Sequence, residues 1–112
     1  MLYCRPQHLC GIQLLGEMSR ASLTGDVVDS CSVQLEPSDT IYGGSYNKEV
    51  GTAGSLVLLM QSSVPIALFS TQDCQLTFGG GTNAENAPPI DYFIDVFKPM
   101  VKPMGIQVDC KL

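Results

Sequence analysis

The residues best equipped for chemistry lie in four places along the chain. The first is Arg5-Pro6-Gln7-His8-Leu9, which holds the only histidine. A guanidinium such as Arg5 can grip a phosphate through two parallel hydrogen bonds. A solvated arginine beside a helix start is the commoner use of the same residue. His8 has no cysteine or carboxylate at motif spacing, so by itself it reads as a surface or capping histidine. The second place is Gln61, a lone amide in the apolar run from Ala53 to Phe69. A buried amide without partners costs about 1–3 kcal/mol, so a ligand, backbone or water must satisfy it. The third is Gly79-Gly80-Gly81-Thr82-Asn83, where absent side chains let backbone approach a ligand, although a plain turn is the ordinary meaning. No GxxxxGK[ST] pattern exists, so this is not a P-loop. The fourth is Pro88-Pro89 ahead of a helical pattern, where proline commonly starts a helix and the free N–H groups can face an anion. Asp91 and Asp95 follow, four apart and opposite the apolar stripe, as a solvated face.

Charge and cysteine usage narrow the classes. Eleven acids against six bases leave −5 over 112 residues. The bases Arg5, Arg20, Lys48, Lys98, Lys102 and Lys111 are scattered, whereas sequence-independent nucleic-acid binding needs them clustered. Five cysteines form no CxxC pair, and a zinc site of usual spacing is not expected. An odd cysteine count without a secretory leader points to a reducing, intracellular compartment. The greasiest run, Leu56 to Phe69, is interrupted by Gln61, Ser62, Ser63 and Pro65, too broken to cross a bilayer. No membrane partner is expected. Apolar content of 45% and charged content of 15% suit a single globular domain with a modest core.

The elements that must position these residues follow from periodicity. Leu9, Ile12, Leu15, Leu14 and Met18 follow a helical spacing after Pro6. Gly25-Asp26 marks a turn. Cys31, Val33 and Leu35 alternate with polar residues as a strand ended by Pro37. A shorter strand spans Ser45 to Lys48. Ala53 to Phe69 is apolar almost all round and is expected as a buried helix, bent or split at Pro65. Cys74, Leu76 and Phe78 form a strand stopped by the three glycines. Ile90, Phe93, Ile94, Phe97 and Val101 make an amphipathic helix closed by Pro103 and Gly105. Ile106, Val108, Cys110 and Leu112 alternate as a last strand. The expected class is α+β, in the order α-β-(β)-α-β-α-β.

Four stretches carry a resemblance to a known family: Arg5 to Leu9, Gly51-Thr52-Ala53-Gly54-Ser55, Leu58-Leu59-Met60-Gln61, and Gly80-Gly81-Thr82-Asn83-Ala84-Glu85 running into Ala87-Pro88-Pro89-Ile90-Asp91-Tyr92. In order and spacing they resemble the RNA 3'-terminal phosphate cyclases, of the true cyclase branch. The resemblance implies a fold of repeated βαβαββ units, of which residues 1–112 would hold the end of the first and most of the second. It implies chemistry in which ATP and a divalent metal, Mg or Mn, serve the full-length enzyme. A histidine is adenylated, AMP passes to an RNA 3'-phosphate, and the neighbouring 2'-hydroxyl closes a 2',3'-cyclic phosphate.

By the same resemblance Gln61 and Pro88 bind ATP, while Arg5, Gln7, His8 and Asn83 contact phosphate or RNA. The expected partners are RNA 3'-phosphate ends, with no DNA specificity inferred, and the remainder of the cyclase fold. The localisation implied is the nucleoplasm. Two departures stand out. The family's Glu-Gly-Gly-Gly-Gln motif, source of a metal-binding carboxylate, has no counterpart, and no metal ligand is assigned within the chain. The covalent histidine is expected beyond Leu112, so no catalytic residue is assigned either, and the 112 residues alone are expected to be inactive. The alternatives are a catalytically inactive cyclase-like scaffold in ribosome assembly, and a truncated product without enzymatic function. The inactive relative departs from the family at the Gln-His pair and at Gly-Thr-Asn, both of which this chain keeps.

Overall fold

The structure, a computed structural model, describes residues 3–51 and 54–112. Helix α1, Pro6–Ser19, begins after extended Arg5 and carries Pro6 in its first turn, where a missing N–H costs nothing. It ends at Arg20, which takes a left-handed conformation (φ 47°) while Ala21 N–H returns to the Gly16 carbonyl at 2.8 Å. Leu14 and Met18 are fully buried. Leu9, Ile12 and Leu15 are only partly so.

A small hairpin follows. Strand β1, Ser22–Thr24, was not expected from the pattern; it pairs antiparallel with β2, Gln34–Glu36. The expected strand from Cys31 thus shrinks to its end, with Leu35 set against Leu23. Gly16 makes room for β1, since a Cβ there would stand 2.8 Å from Leu23 Cδ1.

The centre of the chain is a β-α-β unit. Strand β3, Gly44–Glu49, leads through helix α2, Leu56–Ala67, to strand β4, Cys74–Gly79. The two strands pair in parallel from Gly44↔Cys74 to Glu49↔Gly79, the arrangement that requires a crossover helix. α2 is shorter than the expected 53–69 span, and Thr52 and Ala53 fall outside the described residues. Pro65 does not split it. That proline is exposed, as is Gln61 four residues earlier, so water can satisfy the carbonyl the ring leaves without a donor. Ser62 and Ser63 stay compatible with the helix because their hydroxyls donate back to carbonyls of Leu58 and Leu59, the closest at 2.7 Å.

The last helix is composite: α3, Ile90–Tyr92, then a π-helical stretch Phe93–Phe97, then α4, Lys98–Val101, then a 3-10 turn Lys102–Met104. Leu56, Val57, Met60 and Val64 of α2 form one core cluster with Ile90 and Phe93, and Leu76, Phe78, Val108 and Cys110 pack against it. The expected strand Ile106–Leu112 is not one. Its alternation survives in burial, with Ile106, Val108 and Cys110 half-buried between exposed neighbours, but no ladder forms. A period of two shows which residues face a core; it does not supply a strand to pair with. The α+β class holds.

Candidate functional site

The starts of α1 and α2 meet. Gln7 Oε1 accepts the backbone N–H of Ser55 at 3.1 Å. Gly11, four residues on, faces Leu59 and Ser62, so the two helices run side by side in the same direction. Between them lies a groove of about 210 Å³, with Gln7 and His8 at its polar end and Gly11, Ile12, Leu58 and Leu59 along its walls. His8 is exposed, and its Nδ1 accepts the Arg5 N–H across 3.4 Å, a long contact. Its present role is that of a capping histidine. Arg5, also exposed, has only donors on its side chain and cannot return the cap. Three residues singled out from sequence, Arg5, Gln7 and His8, therefore share one place, and the Gly54-Ser55 motif joins them.

The glycine turn after β4 is tied to the same region. Gly81 N–H donates to the Gly54 carbonyl at 2.7 Å, and Leu56 N–H donates to the Gly81 carbonyl at 3.1 Å. Gly80 takes φ +157°, and a Cβ there would stand 2.4 Å from Val50 Cγ2. A second cavity of about 270 Å³ is lined by Glu49, Gly51, Gly80 and Gly81. Thr82 accepts the Ile90 N–H at 3.0 Å, which anchors the composite helix just after Pro88 and Pro89. Asn83 is exposed, and Pro88 is half-buried.

Gln61 differs from expectation in one respect. It is exposed, so no buried amide demands partners. Its neighbours one turn away, Val57 and Val64, pack with Ile90, which sets Gln61 at the border of the face that meets α3. Among the described residues no hydrogen bond joins it to Pro88 or Asn83.

Ser55 escaped the sequence reading except as part of a motif. It is 1% exposed, and its Oγ has no hydrogen-bond partner among the described residues. The signal was present: a serine immediately before an apolar run is an N-cap signature. Neither α1 nor α2 has an acidic residue in its first turn. Among the described residues no group of three or more His, Cys, Asp or Glu could hold a metal ion. Away from the helix starts, Cys10 donates to the Glu49 carbonyl at 3.7 Å. Burial pushes its thiol above the ordinary range, with Lys48 pulling it down and Glu17 raising it.

Fold and geometry together define an α+β chain in which Gln7, Gly54, Ser55 and the glycine turn at Gly81 meet at the starts of two helices. The family model for RNA 3'-terminal phosphate cyclase matches residues 4–112, and the chain belongs to that family. It is 37% identical over 108 residues to an RNA 3'-terminal phosphate cyclase of Korarchaeum cryptofilum, covering 96% of this chain and 31% of that protein. Against the Drosophila melanogaster protein of the same name it is 36% identical over 106 residues, covering 95% of this chain and 29% of the relative. For Nitrosospira multiformis the figures are 37% over 100 residues, 89% and 28%. The chain thus spans less than a third of the length of these curated relatives.

Proposed function

We propose that this chain is the nucleotide- and RNA-end-binding part of an ATP-dependent cyclase that turns an RNA 3'-phosphate into a 2',3'-cyclic phosphate in the nucleus. The observation that carries the reading is the union of Arg5, Gln7 and His8 with Ser55 at the paired starts of α1 and α2. Anions are favoured at helix starts, where backbone N–H groups and the macrodipole present positive charge. An RNA end or a nucleotide brings such an anion.

In this reading Gln61 and Pro88 hold the adenosine. The exposed amide of Gln61 offers one donor face and one acceptor, the pair that can match an adenine edge. Pro88 offers a half-buried apolar ring ahead of α3. His8 caps a helix and is not the covalent nucleophile, so this chain orients its ligands and does not itself take up AMP. No step is assigned to a metal.

Two measurements test this. Incubated with ATP labelled at the α-phosphate, the 112-residue chain acquires no covalent label; a labelled band would refute the role given to His8. In an isotope-edited titration with ATP, amides around Gln61 and Pro88 shift, and Gln61→Ala weakens binding by about tenfold at unchanged thermal stability. Unchanged affinity in that variant removes Gln61 from the site.

A further inference from the structure

Residues 106–112 carry the burial pattern of a strand without the hydrogen bonds of one. Ile106, Val108 and Cys110 are half-buried and alternate with exposed Gln107, Asp109 and Lys111, the period of an extended backbone. Val108 and Cys110 pack against the core cluster, as do Leu76 and Phe78 of β4. The ladder is missing. Ile106 N–H donates to the Val101 carbonyl at 3.4 Å, but among the described residues no backbone hydrogen bond joins 107–112 to another segment. Backbone donors and acceptors lying against a core are normally paired, and a row left open is a template for another strand.

The segment also carries the sequence that would pair with it. Set antiparallel to a second copy of itself about Cys110, it brings Asp109 opposite Lys111 and Val108 opposite Leu112, each pair occurring twice by symmetry. Opposite charges directly across an antiparallel pair are favourable, whereas like charges are not. Asp109 is available for this role: its side chain is fully exposed, and Lys98 reaches it only at 3.8 Å. On the core-facing side Leu112, 81% exposed in the single chain, gains Val108 of the second copy. A register centred on Asp109 sets two carboxylates against each other. One centred on Val108 leaves Leu112 beside the 3-10 turn with no apolar strand residue across from it. The charge order therefore selects the register about Cys110. Strands β1 and β2, of three residues each, offer shorter edges.

We propose that residues 108–112 pair antiparallel with the same residues of a second copy of this chain, forming a dimer with Asp109–Lys111 pairs across the new ladder. The contact uses the same patch on both chains, so it closes at two copies. It rests on the unladdered segment and its charge order, and is independent of the function proposed above.

The test is the dimer dissociation constant of the 112-residue chain, by sedimentation equilibrium at low salt, for the wild type, Asp109→Lys, Lys111→Asp and the double exchange. The wild type is expected to dimerise, with amides within residues 108–112 gaining protection from hydrogen exchange as concentration rises. Each single variant turns two attractions into two like-charge contacts and weakens the dimer by about tenfold or more. The double exchange restores opposite charges across the ladder and returns the constant to within about threefold of the wild type. Asp109→Lys moves the net charge from −5 to −3, which by itself would favour association, so a weaker dimer there reports the pair and not the overall charge. Both side chains are exposed, and unchanged thermal midpoints in the two single variants confirm that the fold is intact. A wild type still monomeric at about 1 mM overturns the proposal. So does a dimer indifferent to the single variants, a double exchange no tighter than they are, or protection that rises in β1, β2 or β3 and not in 108–112.

Discussion

Helix α2 contains Pro65, the composite helix from Ile90 to Met104 contains Pro99 and, in its final 3-10 turn, Pro103, and the two helices answer proline differently. Proline removes one donor and crowds the carbonyl four residues back. Pro65 sits in α2 without interrupting it. Pro99 follows a π-helical stretch, where Lys98 N–H reaches back five residues to Phe93. The local insult is the same. The surroundings are not. α2 buries Leu56, Val57, Leu59, Met60, Ser63 and Val64, pressed against α1 on one side and the core cluster on the other. The composite helix buries Ile90 and Phe93 and leaves Val96, Met100 and Met104 exposed. Packing on two sides holds the regular geometry; packing on one lets the backbone widen around Phe93 and Phe97, whose rings stack 4.9 Å apart. The helix that starts at the candidate phosphate site is therefore the more tightly determined of the two.

The largest test of that contrast is core truncation. Leu59, 1% exposed and set between α2 and α1, should lose about 2–5 kcal/mol on substitution by alanine, measured by urea unfolding. Val96→Ala on the open face of the composite helix should stay within about 0.5 kcal/mol. Equal losses would end the claim that α2 is the better determined helix. Next in size is Gly54→Ala, just ahead of α2. Its Cβ would fall 2.8 Å from both the Val50 carbonyl oxygen and Val50 Cβ, an overpacking expected to cost about 1–3 kcal/mol and to disturb Ser55. Smaller still is Pro99→Ala. Restoring the donor should return the π-helical stretch to α-helix and regain about 1 kcal/mol, seen as new amide protection at residue 99. Pro65→Ala should leave the carbon shifts of α2 almost unmoved.

Much of this was legible in the sequence, for identifiable reasons. Cys74, Leu76 and Phe78 alternate because one face of β4 meets α2, and the strand ends at Gly79 as the glycines imply. The apolar run after Ser55 is a buried helix because only a helix of that length hides so many side chains. The hairpin β1–β2 was hidden because each strand has three residues, too few for alternation to register. The final strand was overread: Val108 and Cys110 face the core, which sets the pattern, but pairing depends on a neighbour that sequence does not encode locally. At the site, Arg5, Gln7 and His8 were visible as types. That Gln7 would cap the other helix, and that Gln61 would lie on a solvent face despite its apolar neighbours, depended on how α1 and α2 dock. Docking is a tertiary property, and the helical period of α2 alone could not rank its faces.

The smallest expected effect is a pH dependence, and it belongs to the contact between α1 and β3. Burial raises the thiol of Cys10 above its ordinary value of 9.0, against the pull of Lys48 and with the help of Glu17. Burial, followed by Cys74 and Glu17 and opposed by Arg20, raises the Tyr46 hydroxyl above 10.0, and that hydroxyl donates to the Tyr42 carbonyl at 2.8 Å. In both cases the folded chain keeps its proton where the unfolded chain has begun to lose it. The stabilisation is complete below the unfolded value and is lost as pH rises through the folded one. Urea midpoints should therefore be flat with respect to these groups up to about pH 9 and decline above it, with Cys10 acting first and Tyr46 adding to the fall beyond about pH 10. Cys10→Ser should remove the earlier part of the decline and leave the later one. A midpoint that climbs across this range, or a Cys10 thiol alkylated as fast in the folded chain as in urea, would show that α1 does not shield Cys10 against β3.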